Sequence, residues 1–169
     1  GRHPWGALAQ GQGFYRHEAL WAGVEASAQY NQPLRLRDGI IDYAVPERRQ
    51  YQIGGRLGAT DLDGIDLQLR ARFIRDEQDG LTQESVPGLG VYRIDLPDRV
   101  NRFVLQGREV VHFEDGSTLR VSLNRQQTDG ETSKDRADSP VDETRTRRGT
   151  LHSAELVGTI ADGDRTWVL

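Results

Sequence analysis

The sequence contains no cysteine and no methionine, and only one of its basic residues, Lys134, is a lysine. Without cysteine the chain has no disulfide framework, no cysteine-ligated zinc and no thiol chemistry. It also lacks a long apolar run: no stretch approaches the roughly 18 uncharged apolar residues of a membrane-spanning helix. At a mean hydropathy of −0.68, two classes stay open, a soluble domain and a membrane β-barrel, in which only alternate residues face lipid.

Motifs for catalysis and for nucleic-acid binding are also missing. Acidic and basic residues are interleaved at a net charge of −4, which argues against a nucleic-acid partner. The four histidines form no metal-spaced pair, and no phosphate-binding loop, nucleophile elbow or zinc-protease motif occurs. The acidic segment 129–143 lacks the ligand spacing of a calcium loop. The sequence therefore predicts no enzymatic activity, no metal site and no cofactor.

Alternation of apolar and polar residues with a period of two is the main structural signal. It is clearest in three segments, 20–30, 51–60 and 65–73. Because successive side chains of a strand point to opposite faces, each segment has one apolar and one polar face. Weaker patterns predict four further strands, around 103–113, 119–124, 146–160 and from 166 onward. In the strand around 103–113 Glu109 falls on the apolar face, and a bulge near it would restore the alternation of apolar and polar residues. Residues 1–18 are an unassigned lead-in.

The connections between these strands alternate in length. Three are tight turns that contain an Asp-Gly pair, at 61–64, 114–117 and 161–164, where glycine tolerates positive φ. The other three are expected to be long polar loops, at 31–50, 75–99 and 126–145. Short turns on one side and long loops on the other are typical of outer-membrane barrels. Loops this long are uncommon in a compact soluble domain.

Aromatic residues fall at the ends of the predicted strands. Tyr30, Tyr51, Phe73 and Phe103 lie at the ends away from the Asp-Gly turns, each on the apolar face, and Phe113 lies at the opposite end. Membrane barrels carry such aromatic girdles at both water–lipid boundaries. In a soluble sandwich large aromatic residues would instead lie in mid-strand, in the core.

These signals together predict an all-β fold, an antiparallel up-and-down meander that forms a transmembrane β-barrel or a segment of a larger one, as a single domain over 1–169. Membrane lipid is then a partner. A soluble lipocalin-like β-barrel is the alternative, with a small apolar ligand in a cavity lined by Leu20, Val24, Ile53, Leu57, Leu67 and Leu69. A lipid-modifying barrel enzyme, using His112 or His152 with loop acids, is a third and weaker hypothesis.

Two segments resemble barrel hairpins of TonB-dependent outer-membrane receptors, 57–69 (LGATDLDGIDLQL) and 112–123 (HFEDGSTLRVSL). Segment 84–88 (ESVPG) is similar to a loop in the haem- and siderophore-receptor branch. The resemblance implies an outer-membrane receptor for uptake of a metal chelate such as a siderophore or haem, with a periplasmic energy-coupling protein as partner. Such receptors have about 22 strands around a plug, whereas this sequence shows about seven and no recognisable plug.

Two groups of residues are candidates for contact with a small-molecule ligand. The loops 31–50 and 75–99 combine aromatic faces with cationic donors, a combination that suits a planar or anionic ligand. The residues concerned are Tyr43, Arg48, Arg49, Tyr92 and Arg93. The second group, Arg56, Arg70 and Arg72, lies on the polar side of its strands and is expected to face the lumen, where charge pairing with Glu25 and Asp66 is the simpler interpretation.

Overall fold

A computed structural model describes residues 6–35, 43–86, 90–136, 143–162 and 165–168. Every regular element in these residues is a β-strand, and none of them forms a helix long and apolar enough to cross a membrane. The strands are β1 Gly6–His17, β2 Leu20–Asn31, β3 Leu34–Arg35, β4 Tyr43–Val45, β5 Glu47–Leu62, β6 Ile65–Val86, β7 Gly90–His112, β8 Thr118–Arg136, β9 Glu143–Asp162 and β10 Arg165–Val168.

Eight of the strands form one antiparallel sheet in the order β1–β2–β5–β6–β7–β8–β9–β10. Apart from the separate pair β3–β4, each strand therefore lies beside the next along the chain, which confirms the predicted all-β up-and-down meander. The sheet is open. In the described residues β1 and β10 are its two edges and do not pair with each other.

Short turns connect the strands at one end of the sheet, called here the turn end. The turn after β5 places Asp63 and Gly64 at positive φ, 52° and 80°, as tight hairpin turns require. Neighbouring turns are tied together, because the His112 amide donates to the Gly64 carbonyl (2.8 Å) and the Ala161 amide donates to the Ser117 hydroxyl (3.1 Å). The predicted turn at 161–164 includes residues 163 and 164, which lie outside the described residues.

At the opposite, long end the structure corrects two predictions. Segments 75–99 and 126–145 are not loops, because β6 and β7 stay paired as far as Val86 opposite Gly90, and β8 and β9 as far as Lys134 opposite Glu143. Segment 31–50 contains β3 and β4 in addition to the ends of β2 and β5. In both segments continued pairing between the strands satisfies the backbone polar groups, so the polar sequence there forms strands and not irregular loops.

Within the unassigned lead-in 1–18, residues 6–17 form β1, which pairs with β2 from Gly6 opposite Asn31 to His17 opposite Leu20; residues 1–5 lie outside the described residues. The bulge predicted near Glu109 is wrong. Glu109 lies opposite Leu67 and Val121 in a ladder without a register shift. The phase of β7 is regular, and a single carboxylate simply stands among apolar neighbours.

The two faces of the sheet differ in their exposure to solvent, and the difference is opposite to that of a soluble sheet. The apolar face, which carries the alternate Leu, Val, Ile, Ala and Phe residues, is the more exposed one, and Val24 is 66% exposed. Along β2, β5 and β6 the polar face is the more sheltered one, and on β7 Val104 of that face is only 7% exposed. Ala59 is a buried exception on the apolar face, and Phe14 is an exposed one on the polar face. A soluble sheet shelters its apolar face. Here the polar side chains are packed against each other instead.

Candidate functional site

The polar face carries an excess of arginine over its central region. Register aligns these side chains on one face of β1, β2 and β5–β9. The arginines are Arg16, Arg56, Arg70, Arg72, Arg102, Arg108 and Arg120, and the carboxylates are Glu25, Asp66 and Glu155. The three arginines predicted to face the lumen are therefore brought together, with Arg56 directly opposite Arg70. This surface, the arginine face, is cationic overall.

A glycine in the middle strand allows an ion pair to form between strands that are not adjacent. Arg70 on β6 donates to Glu25 on β2 (Nη2–Oε1 2.7 Å), although β5 lies between them. Gly54 on β5 lies opposite Glu25, and a Cβ atom there would be only 3.0 Å from the Glu25 carboxylate oxygen. The absence of a side chain at Gly54 is therefore what leaves room for the pair.

The same arrangement is repeated one row nearer the turn end. Arg56 on β5 lies opposite Gly23 on β2, which lies opposite Phe14 on β1. Arg56 reaches past the glycine to Phe14, with its guanidinium carbon 5.9 Å from the ring centroid, a cation–π distance. Phe14 also stacks on Trp21 at 6.2 Å, and the Trp21 indole occupies the space that a side chain at Gly58 would need.

Several polar atoms of the arginine face remain without a partner. The Nε atoms of Arg72 and Arg120 and the Oδ1 atom of Asn124 are sheltered from solvent and make no hydrogen bond. Arg120 lies 3.6 Å from Glu155, and Arg102 makes no ion pair in the described residues. A sheltered donor without an acceptor is unfavourable. An anionic group placed on this face would accept hydrogen bonds from the two Nε donors, whereas the Asn124 Oδ1 atom is an acceptor and needs a donor.

The predicted ligand-binding arginines are spread over the long end. Arg48 and Arg49 are consecutive on β5 and point to opposite faces. Arg48 pairs with Asp76 (Nε–Oδ1 2.9 Å), while Arg49 pairs with Glu47. The pKa of Arg48 is raised above its ordinary value, chiefly by the hydrogen bond to Asp76.

Arg93 lies further out, on β7 opposite Gln83, and its guanidinium is 3.5 Å from Asp95. Tyr43 lies in β4 and Tyr92 in β7, but their side chains lie outside the described residues. The structure therefore places the three arginines in three separate ion pairs and does not gather them into one site. Their role in ligand capture stays a prediction.

The long end also contains a site that the sequence analysis did not single out. Arg147 on β9 donates to Asp98 on β7 (2.9 and 3.0 Å) past Gly130 on β8, and Thr132 donates to the same carboxylate at 2.7 Å. On the other face Arg148 donates to Asp129 at 2.6 Å, which holds the pKa of Asp129 below its usual value. The only signal in the sequence was the alternation of acids and bases in 129–148.

The apolar face has an oblique boundary at its upper edge, toward the long end. Its exposed aromatic side chains include Tyr51, Phe73 and Phe103, and the two phenylalanines lie directly opposite each other. On β2 the last apolar residue is Tyr30. On β9 it is Ala154, which shares a ladder row with Ala22 of β2 and not with Tyr30. The boundary therefore crosses the rows of the sheet instead of following one.

Comparison with known protein families, with curated proteins and with solved structures finds no match to this chain. Within the described ranges no group of three or more His, Cys, Asp or Glu side chains could hold a metal ion. The arrangement of the two faces is thus the only guide to function.

Proposed function

We propose that the chain forms part of the wall of a transmembrane β-barrel in the bacterial outer membrane, with the arginine face toward the lumen. The oblique boundary of the apolar face carries this proposal. Between Tyr30 on β2 and Ala154 on β9 it shifts by about eight residues, or 27 Å, over five strand spacings of about 4.8 Å. At the turn end the shift from Leu20 to Ile160 is about four residues.

These shifts correspond to an angle between about 30° and 50°, which brackets the strand tilt of about 35–45° in membrane barrels. The height of the apolar face agrees as well. Leu20 and Tyr30 are about 34 Å apart along β2, which is about 26 Å along the membrane normal at a tilt of about 40°. The apolar band of an outer-membrane barrel is about 25 Å tall.

The exposure of the apolar face disfavours the soluble alternative. In a lipocalin-like barrel, side chains such as Leu20, Ile53 and Leu57 would enclose the ligand cavity. In this structure they are 59%, 61% and 55% exposed. A soluble protein that exposes an apolar surface of this extent would aggregate, whereas the same surface is suited to lipid.

We further propose that the barrel takes up an anionic small molecule, a metal chelate such as a siderophore or haem. The arginine face supports this, because its cations exceed its carboxylates and some donors lack partners. Arginine binds carboxylates well, and haem and many iron chelates carry them. The long end would then face outward and capture the ligand, while the turn end would meet a periplasmic energy-coupling protein.

Two measurements test the proposal. Purified protein should need detergent to stay monodisperse, and in vesicles protease should cut at the long end and spare the turns 61–64 and 114–117. A strain that depends on this protein for iron should lose growth on the cognate chelate when Arg72 and Arg102 are both replaced by glutamate. Detergent-independent solubility would refute the barrel, and normal uptake by the double variant would refute the ligand path.

A further inference from the structure

The apolar face has a depression at Gly107, near the centre of β7, where the side chain is missing. Gly107 lies between Leu69 on β6 and Leu123 on β8, and a Cβ atom at this position would meet nothing within 4 Å. Two cavities of about 520 and 360 Å³ open on this face and share all three residues. Together they form one depression, the Gly107 groove. Its lining is mostly apolar, but the Glu109 carboxylate lies at the end away from Arg125.

A cation lies at one end of the groove. Arg125 on β8 lies between Leu105 on β7 and His152 on β9, and all three line the larger cavity. Along β8 its neighbours on the same face are Leu123 and Gln127. None of these adjacent positions carries a carboxylate, and Arg125 makes no ion pair in the described part of the chain.

This isolation distinguishes Arg125 from other arginines on the same side of the sheet. Arg49, Arg75 and Arg148 each bind a carboxylate of their own or a neighbouring strand. Arg125 instead ends the apolar run of β8, directly after Leu123. The oblique boundary of the apolar face therefore passes between Leu123 and Arg125, at the level where lipid head groups begin.

We propose that the Gly107 groove and Arg125 form a binding site for an anionic, phosphate-bearing membrane lipid. An acyl chain lies in the groove against Leu69, Leu105 and Leu123, and the phosphate accepts hydrogen bonds from the Arg125 guanidinium, with His152 beside it. Arginine is suited to phosphate because its planar donors bind two oxygens at once. The site rests on the proposed function, in which the apolar face meets lipid.

The test compares lipids bound to the detergent-purified protein. Micelles doped with phosphatidylglycerol or phosphatidylcholine are titrated, and bound lipid is counted by native mass spectrometry. Arg125→Gln should weaken phosphatidylglycerol binding about tenfold, the size of one charge-assisted contact, and Arg125→Lys should weaken it less. Gly107→Leu should fill the groove and weaken binding of both lipids.

Matched controls are Arg75→Gln, which removes an outward arginine that is already paired with Glu77, and Gly55→Leu, which adds a leucine to the same face outside the groove. Both should bind phosphatidylglycerol like the wild type. Equal binding of the two lipids by the wild type, or an Arg125→Gln variant that binds normally, would overturn the site and leave the barrel intact. Failure of the wild type to enter bilayers would overturn both proposals.

Discussion

Replacing Leu69 with arginine should strongly destabilise the protein assembled in a bilayer. Leu69 lies midway between Ile65 and Phe73, the two ends of the apolar run of β6, so the proposed barrel would place it at the membrane midplane. An arginine facing lipid at that depth costs about 2–4 kcal/mol, which lowers the equilibrium constant for assembly roughly 30-fold to 900-fold. Gln68→Arg, one residue away on the polar face, should change stability by no more than about 0.5 kcal/mol.

The assay is urea titration of protein folded into phospholipid vesicles, followed by tryptophan fluorescence and by the heat-dependent shift in electrophoretic mobility. Wild type and Gln68→Arg should give overlapping curves, and Leu69→Arg should unfold at much lower urea. If Gln68→Arg is the damaging change and Leu69→Arg is tolerated, the apolar face does not meet lipid and the assignment of the two faces is wrong.

A second arginine tests the oblique boundary itself. Ala71 and Arg125 occupy the same ladder row, two strands apart. If the edge of the lipid layer ran parallel to the ladder rows, Ala71 and Arg125 would lie at the same depth, and Ala71→Arg would be tolerated as the native Arg125 is. In the proposed barrel the oblique boundary would place Ala71 within lipid. The same titration should then show a loss of stability, smaller than that of Leu69→Arg because Ala71 is nearer the edge. A neutral Ala71→Arg would contradict the tilt.

Gly54→Val should destabilise the folded protein by about 1–3 kcal/mol in urea titration because its Cβ would crowd a carboxylate at 3.0 Å; Gly55→Val, which has free space, is the control. The Ser117 amide donates to Asp115 (2.9 Å) and is the main reason that the pKa of Asp115 lies below 3.8. The ionised Asp115 therefore stabilises the turn fully above the ordinary pKa of an aspartate, and this stability is lost as the pH falls through its lowered pKa. Protection of the Ser117 amide from hydrogen exchange should fall over that pH range in the wild type and should show no such fall in Asp115→Ala. A triple glutamine variant should weaken chelate binding and leave assembly unchanged if the predicted ligand set is correct, and normal binding would refute it; the residues replaced are Arg48, Arg49 and Arg93.

Strands with one apolar and one polar face could be predicted from the sequence, because such a face leaves a strict period of two, as in 20–30 and 65–73. The strand β1 could not be predicted in this way. Its Leu8 and Phe14 stand on the polar face while Gly11 and Gly13 occupy the apolar one, so β1 shows no clear alternation of apolar and polar residues. Only the pairing with β2 determines its place.

The strand extensions at the long end could not be predicted for a related reason. Beyond the apolar face both sides of β6, β8 and β9 are mostly polar, and the apolar residues of β7, such as the fully buried Ile94, are too few to mark a strand. These strand ends are held by backbone pairing and by ion pairs such as that of Asp98 with Arg147. The arginine face was predictable in part. The side on which Arg56 and Arg70 lie follows from parity, but the contact of Arg70 with Glu25 depends on a third strand and cannot be read along the chain.

The glycines of the polar face have a consequence for the accuracy of strand alignment. A strand that slips by one residue turns its apolar side chains inward and is rejected by hydropathy. A slip by two residues keeps every side chain on its proper face, so burial of apolar side chains does not disfavour it. It would, however, move Gly54 away from Glu25 and put Gln52 or Arg56 in its place, where no room exists. Because side chains reach across these glycines to the strand beyond, the glycines favour the native register of each strand relative to the strand two positions earlier in the sheet.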